Sequence, residues 1–224
     1  MNNEITHIKT KNTRYLGVYE SSVIRSDLIQ SYDIGIINKI KELEITTIID
    51  LRSEGEVTRT PCSLANHDFF EYYNIPLHKN GVLPLDCEKT AGFYFQMSLN
   101  LHSVNTIFHL IMNADKKVLI CCRSGKDRTG IISALLLMLS GFSDEYIVDD
   151  YVLSAKNLSA EIDEWTKNHS EYSNEAVTPK SEYILKFLCV FRREFMSIEN
   201  YCIQCGLTQD EIELLQRKLC NKIM

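Results

Sequence analysis

Two side chains six positions apart, Cys122 and Arg128, have the types and spacing needed to bind and attack a phosphate group. A thiolate is a strong nucleophile, and the planar guanidinium of arginine can hold two phosphoryl oxygens at once. Gly125 lies between them and permits a tight turn that a Cβ would obstruct. The stretch from Val118 to Gly130 therefore predicts a phosphate-binding loop with a nucleophile at its base.

The other residues of this loop fit the same chemistry. The backbone N–H groups of residues 123–128, together with a helix expected to start near Thr129, would face a bound dianion and favour the thiolate. Ser124 and Thr129 place hydroxyls near the sulfur, and Arg123 and Lys126 add positive charge. A carboxylic acid must still protonate the departing oxygen, and Asp127 is the nearest candidate.

The flanking segments explain how this loop would be held. The apolar run before Cys122 is typical of a buried strand, and residues 131–139 are apolar on every side, which indicates a buried helix. Residues 45–52 predict a second buried strand that ends in charge. Because ligands bind at the carboxyl ends of strands in α/β sheets, Asp50, Arg52 and Glu56 are candidate supporting residues. Asp50 or Glu56 would brace Arg128; the alternative is an ordinary surface ion-pair cluster.

The rest of the chain predicts one α/β domain, residues 1–224. Residues 1–12 are expected to be loosely held, Ser26 with Asp27 resembles a helix start, and residues 81–84 predict a loop. Residues 154–182 are polar, and we expect them to be a lid, an insertion or an exposed linker. Residues 183–224 are expected to form C-terminal helices. The other expected elements are a strand within 69–77 and helices within 36–43, 90–113, 143–152, 183–196 and 208–219.

Composition limits the partners. With 24 basic and 30 acidic side chains the net charge is −6, which argues against nucleic-acid binding and against a polybasic membrane anchor. No signal peptide and no run of about 18 apolar residues is present, so we expect no integral membrane segment and a cytoplasmic location. The eight cysteines are expected to be reduced thiols. Cys202 and Cys205 have half the spacing pattern of a zinc site, but we predict buried cysteines, no metal and no cofactor.

The loop resembles that of the protein-tyrosine phosphatase superfamily, whose signature is Cys, five residues, Arg, then Ser or Thr. The run Gly-Lys-Asp-Arg-Thr-Gly over residues 125–130 resembles a bacterial branch that acts on phosphotyrosine and, in several members, on phosphoserine, phosphothreonine and phosphoinositides. The resemblance implies a central, mostly parallel sheet flanked by helices. It also implies that Asp127 is the general acid. Cys121 stands where the family usually has His.

The resemblance implies a dual-specificity phosphatase whose substrate is a phosphorylated protein or a phosphoinositide, cleaved through a thiophosphate on Cys122. Asp68 and Asp86 remain alternative acids, since many superfamily members bring the acid on a separate loop. Two other functions stay open. One is a phosphate-binding module without catalysis, and the other is persulfide transfer on a rhodanese-type loop.

Overall fold

A computed structural model of the chain describes Ile5, Ile8 and residues 10–31, 33–78 and 86–219. The strands in this part are β1 (Arg14–Tyr15), β2 (Val23–Ser26), β3 (Ile45–Asp50), β4 (Glu71–Asn74) and β5 (Lys117–Cys121). They form one sheet in the order β1-β2-β5-β3-β4, in which only the β1–β2 pair is antiparallel. The predicted mostly parallel sheet is confirmed.

Helices account for most of the remaining described chain. They are α1 (Ile34–Glu42), α2 (Glu54–Arg59), α3 (Cys87–Ser98), α4 (Leu101–Asn113), α5 (Asp127–Leu139), α6 (Asp144–Asn157), α7 (Ser159–Asn168), α8 (Asn174–Val177), α9 (Ser181–Phe195), α10 (Ile198–Gln204) and α11 (Gln209–Leu219). Helix α5 is buried on nearly every side, as its sequence predicts, and it leaves the sheet at the end of β5.

The two faces of the sheet bury different cores because successive side chains of a strand point to opposite sides. Val118, Ile120 and Cys122 pack in one cluster with α3, α4, α5 and the C-terminal helices. Leu119 and Cys121 pack in the other cluster with α1. The two adjacent cysteines therefore belong to different cores.

The carboxyl ends of three parallel strands meet at one edge. Cys121 at the end of β5 lies opposite Ser26 of β2 on one side and Asp50 of β3 on the other. Loops leaving these three strands are consequently neighbours, and this edge carries the candidate site.

Three local expectations differ from the structure. Ser26 ends β2 and starts no helix, and the Asp27 carboxylate instead accepts the backbone N–H groups of residues 11 and 12. Helix α5 begins at Asp127, two residues before the expected Thr129. Residues 154–182, for which an exposed linker was one of the expectations, are largely helical, in the end of α6, in α7 and α8 and at the start of α9.

The chain termini are described in part. Ile5, Ile8 and Asn12 of the first twelve residues are buried, so these three side chains pack on the domain. The predicted loop at residues 81–84 and the last five residues of the C-terminal segment lie outside the described residues. Cys202 and Cys205 are buried in the core, and burial raises their pKa values to about 12 and about 11. No helix in the described part is long and apolar enough for a membrane span.

Candidate active site

Cys122 lies at the base of a loop between β5 and α5. The residue is 2% exposed and packs in the larger core cluster, so the loop starts from a fixed point. Gly125 has a φ of +65°, and a Cβ built there would lie 2.5 Å from the carbonyl oxygen of Ser26. Only glycine fits both this backbone conformation and the close approach of β2.

The carbonyl groups of the loop are held from outside it. Two backbone donors come from neighbouring loops: Leu51 N donates to Cys121 O at 2.8 Å, and Leu28 N donates to Arg123 O at 3.2 Å. Asn12 Nδ2, from the N-terminal segment, donates to Ser124 O and Gly125 O at 3.0 and 3.1 Å. Arg25 Nη2 of β2 donates to Gly125 O at 2.7 Å. In a planar trans peptide the N–H points opposite to the C=O. The amides of residues 122 and 124–126 therefore point into the loop.

These amides are available to a ligand. Within the described residues, none of the N–H groups of residues 123–129 donates to a protein acceptor. The N–H groups of residues 127–129 belong to the first turn of α5. At a helix N-terminus the N–H groups lack intrahelical acceptors and the helix dipole is positive, and both effects favour an anion. The loop thus has the geometry of an anion-binding site.

A buried charge network holds the loop in place. Arg14 and Arg25, from β1 and β2, both form ion pairs with Asp150 of α6, and both arginines are 1% exposed. Arg14 Nη1 also donates to Asn12 Oδ1 at 2.6 Å. Burial, assisted by the charge of Arg14 and opposed by that of Asp150, lowers the pKa of Arg25 to about 10, so Arg25 stays charged at neutral pH. The network fixes Asn12 and Arg25, the two side chains that hold Gly125 O.

Arg128 is braced by Glu56 of α2. Arg128 Nη1 and Nη2 donate to Glu56 Oε2 and Oε1 at 2.5 and 2.9 Å. Burial raises the pKa of Glu56, but the hydrogen bond and charge of Arg128 outweigh it and bring the value to about 2. Glu56 is therefore ionised, and the bidentate pair orients the guanidinium plane.

Asp127 accepts a hydrogen bond from a buried tyrosine. Tyr94 Oη of α3 lies 2.5 Å from Asp127 Oδ1, and Tyr151 Oη of α6 lies 2.6 Å from Tyr94 Oη. Burial, followed by the charge of Asp127, raises the pKa of both phenols well above the usual value. Both hydroxyls remain protonated at neutral pH, so Tyr94 acts as a fixed donor to Asp127.

The two other cations of the loop differ in their surroundings. Lys126 Nζ donates to the carbonyl of Val177 in α8 at 2.7 Å and lies 3.5 Å from Asp127 Oδ2. The segment expected to be a lid or linker therefore contacts the loop through its backbone. Arg123 is exposed and has no ion pair within the described residues.

Asp50 and Arg52 do not contact Arg128. They pair with each other, Arg52 Nη2 lying 2.6 Å from Asp50 Oδ2, and Tyr72 Oη donates to the same carboxylate at 2.8 Å. Of the two candidate braces for Arg128, the structure thus places Glu56 in contact. Cys121 faces this cluster, where burial and then the charge of Asp50 raise its thiol pKa well above the ordinary value.

The remaining sequence candidates are placed as follows. The Thr129 hydroxyl is buried without a hydrogen-bond partner in the described residues, at the start of α5. The Ser124 carbonyl accepts from Asn12. Asp86 caps α3 through Lys89 N at 2.8 Å, and Asp68 is exposed in the turn before β4.

Sequence reasoning missed the residues that support the loop from a distance: Asn12, Arg14, Arg25, Tyr94, Asp150 and Tyr151. One signal was available for both arginines, since Arg25 directly follows the apolar pair Val23-Ile24 and Arg14 directly precedes the apolar pair Tyr15-Leu16. A buried arginine is costly unless paired, so each predicts an acidic partner, although nothing local identifies Asp150.

Comparisons with known proteins agree with the loop signature. A sequence model of the tyrosine phosphatase family matches residues 4–221. The chain is 28% identical over 193 residues to a tyrosine-protein phosphatase from Nostoc commune, a match that covers 76% of this chain. The chain spans about 65% of the length of that relative.

Two solved structures are similar at lower identity. The crystal structure of TpbA from P. aeruginosa is 11% identical, with a TM-score of 0.48 and coverage of 88% of this chain and 91% of that chain. The core catalytic domain of the PP-IP phosphatase SIW14 from S. cerevisiae is 18% identical, with a TM-score of 0.44 and coverage of 66% and 78%.

Proposed function

This chain belongs to the tyrosine phosphatase family, and from that membership we propose that it hydrolyses phosphate monoesters, with protein phosphotyrosine as the main substrate. Phosphoserine, phosphothreonine and phosphoinositides are secondary substrates in this proposal. We place the activity in one domain, residues 1–224, working in the reducing cytoplasm because it needs a free thiolate. The observation that carries the proposal is the loop of inward-facing amides with Cys122 at its base and the braced Arg128 at its rim.

The reaction has two steps. The Cys122 thiolate attacks phosphorus, the S–P bond forms, the P–O bond to tyrosine breaks, and the leaving oxygen takes the proton of the Asp127 carboxyl. Water then attacks phosphorus and gives a proton to Asp127, the S–P bond breaks, and inorganic phosphate leaves. The chain supplies the nucleophile, the acid and the donors, so no metal takes part in the proposed steps.

Each remaining loop residue has a role in this proposal. Arg128 and the inward amides hold the equatorial oxygens, whose charge is stabilised throughout the transfer. The buried Thr129 hydroxyl, which has no protein partner in the described residues, donates to the Cys122 sulfur as it becomes a leaving group. Ser124 assists at the same sulfur, while Arg123 and Lys126 contribute positive potential.

The nucleophile is tested by Cys122→Ser with an aryl phosphate and a phosphotyrosine peptide as substrates. We expect wild-type turnover of both and none in the variant, because a serine hydroxyl is not ionised at neutral pH. Cys121→Ser is the matched control, since Cys121 packs on the opposite face of the sheet. Residual turnover in Cys122→Ser would refute the mechanism.

An inactive wild type that still binds phosphate would favour the binding module, and thiosulfate turnover would favour persulfide transfer.

Substrate class is tested with Lys126→Ala. In the structure Lys126 is bound to Val177 O and lies close to Asp127. We therefore expect turnover of phosphotyrosine peptides and of phosphoinositides to fall by the same factor. A loss confined to phosphoinositides would instead assign Lys126 to head-group recognition.

A further inference from the structure

An open cleft lies beside the proposed phosphate site. It is formed by the segment after β2, the end of β3, helix α2 and the exposed side of the loop, and Leu28, Gln30, Arg52, Glu56, Arg59 and Arg123 line it. Arg123 directly follows Cys122, and Glu56 is the brace of Arg128. A substrate whose phosphate enters the loop would therefore extend its adjoining groups over this cleft.

The charges in the cleft do not cancel. Arg52 is neutralised by the buried Asp50 carboxylate. Arg59 and Arg123 are exposed, and neither forms an ion pair or a side-chain hydrogen bond within the described residues. Two arginines without an ion-pair partner in the described part of the chain are thus grouped beside the site, in a protein whose net charge is −6.

Glu56 cannot neutralise them. Its Oε2 atom accepts from Arg128 Nη1 and from both the N–H and the hydroxyl of Ser53, and its Oε1 atom accepts from Arg128 Nη2. The charge of Glu56 is paired with that of Arg128, so the positive potential of Arg59 and Arg123 is directed at the solvent and at an incoming ligand.

We propose that Arg59 and Arg123 form a subsite that binds an acidic side chain flanking the phosphotyrosine of a substrate peptide. The inference rests on the proposed function and adds a sequence preference to it. Leu28 and Gln30 give the cleft mixed apolar and amide surface, which suits a peptide side chain with its backbone.

The same observations favour a peptide over a lipid head group. Lys126, the loop cation that a polyphosphorylated head group would need, is bound to Val177 O. The net charge of −6 opposes approach to an anionic membrane, whereas a short peptide is affected mainly by nearby charges.

The test compares two phosphotyrosine peptides of equal length, one with Glu on both sides of the phosphotyrosine and one with Gln. For the wild type we expect kcat/KM to favour the Glu peptide about 3- to 10-fold, as for two partly exposed ion pairs. This ratio should fall as ionic strength rises from about 0.01 M to about 1 M. Arg59→Gln should reduce the ratio at least about 2-fold and leave kcat/KM for the Gln peptide unchanged.

Two further variants sharpen the result. For Arg59→Glu, kcat/KM should be higher for a phosphotyrosine peptide flanked by Lys than for the peptide flanked by Glu. A partly unfolded variant would lose activity on both peptides and could not reverse the preference. Arg193→Gln, which removes an exposed arginine of α9 away from the cleft, should leave the ratio unchanged.

Several results would overturn the proposal: an equal kcat/KM for the two peptides in the wild type, an unchanged ratio in Arg59→Gln, or an equal fall in Arg193→Gln. A loss in Arg59→Gln confined to soluble inositol phosphates would assign the cleft to head groups instead. In each of these cases the Gln peptide is still hydrolysed. If neither peptide is hydrolysed, the proposed function itself fails and this inference fails with it.

Discussion

At the scale of single residues, the site is defined by groups that are held rather than merely present. Arg128 is fixed by both oxygens of Glu56, and Asp127 by the hydroxyl of Tyr94. Each of these two side chains therefore has a partner that limits its rotation, and pre-organised donors act on a transition state without reorganisation. Replacing the partner tests the arrangement while leaving the functional group in place.

Glu56→Gln removes the charged brace of Arg128. We expect kcat to fall about 10-fold, since a hydrogen bond to a charged group contributes about 1.5–3 kcal/mol. The variant should also be less stable than the wild type at neutral pH. The pKa of Glu56 is about 2 in the folded protein against an ordinary 4.5, so its stabilising effect is present above about 4.5 and is lost as pH falls toward about 2.

The free energy of unfolding in urea, measured at several pH values, checks this linkage. The difference in free energy of unfolding between the wild type and Glu56→Gln should become smaller below about pH 4.5. Glu54→Gln serves as the control because Glu54 is exposed on the same helix. A difference that stays constant with pH would show that Glu56 does not stabilise the fold through its charge.

Tyr94→Phe tests whether Tyr94 positions Asp127. We expect kcat to fall about 10-fold for phosphotyrosine, whose leaving oxygen needs a proton, and much less for a nitrophenyl phosphate, whose leaving group needs none. KM should be nearly unchanged for both. Tyr19→Phe is the control, since Tyr19 is exposed in the turn between β1 and β2 and lies outside the hydrogen-bond chain of Tyr151, Tyr94 and Asp127. Equal losses on the two substrates would indicate general damage to the site.

At the scale of elements, the loop depends on its close approach to β2. Gly125 packs against the backbone of Ser26, and its carbonyl accepts from Arg25 of the same strand. Strand β5 supplies the start of the loop and α5 supplies its last amides, so three elements must keep their spacing. The addition of one atom at Gly125 would displace the loop amides that are proposed to bind the phosphate.

Gly125→Ala adds that atom. The Cβ would lie 2.5–2.7 Å from backbone atoms of Ser26 and Asp27, in a left-handed conformation that costs about 1–3 kcal/mol. We expect loss of stability in that range or above, with turnover reduced about 100-fold or more. Gly92→Ala is the control, because a Cβ there meets nothing within 4 Å and should be neutral or stabilising. Thermal unfolding and steady-state kinetics measure both effects; wild-type kinetics in Gly125→Ala would contradict the account.

At the scale of the whole molecule, the Asp150 carboxylate of α6 connects this helix to β1 and β2, and through Arg25 to the loop. Asp150 pairs with both Arg14 and Arg25, which lie opposite each other in the β1–β2 ladder. Burial raises the pKa of Asp150, but the two arginines outweigh it and lower the value below the ordinary range. Stability of the domain and geometry of the loop therefore depend on the same network.

Asp150→Asn leaves two buried arginines without a counter-charge. We expect a loss of about 3–5 kcal/mol in the free energy of unfolding, measured with urea at neutral pH. The deficit should diminish in acid, as protonation removes the same charge from the wild type. Asp149→Asn, at an exposed neighbour on α6, should change stability by less than about 0.5 kcal/mol. Similar values for the two variants would exclude a structural role for the network.

The sequence by itself determined the residue types and the local order of the candidate site. The spacing of Cys122 and Arg128, the glycine at 125 and the apolar runs on both sides act within a dozen residues, so strand, loop and helix could be predicted. The mostly parallel sheet was implied by the family resemblance that this loop carries. Such features depend on residue type and period, which a sequence displays directly.

Only the tertiary structure decided which groups hold that chemistry in place. Glu56 rather than Asp50 contacts Arg128 across 72 positions, Arg25 reaches Gly125 across 100, and Arg14 reaches Asp150 across 136. Many acids in the chain were chemically suitable for these roles. The choice among them depends on how the strands and helices pack, because a hydrogen bond requires atoms to meet within about 3 Å.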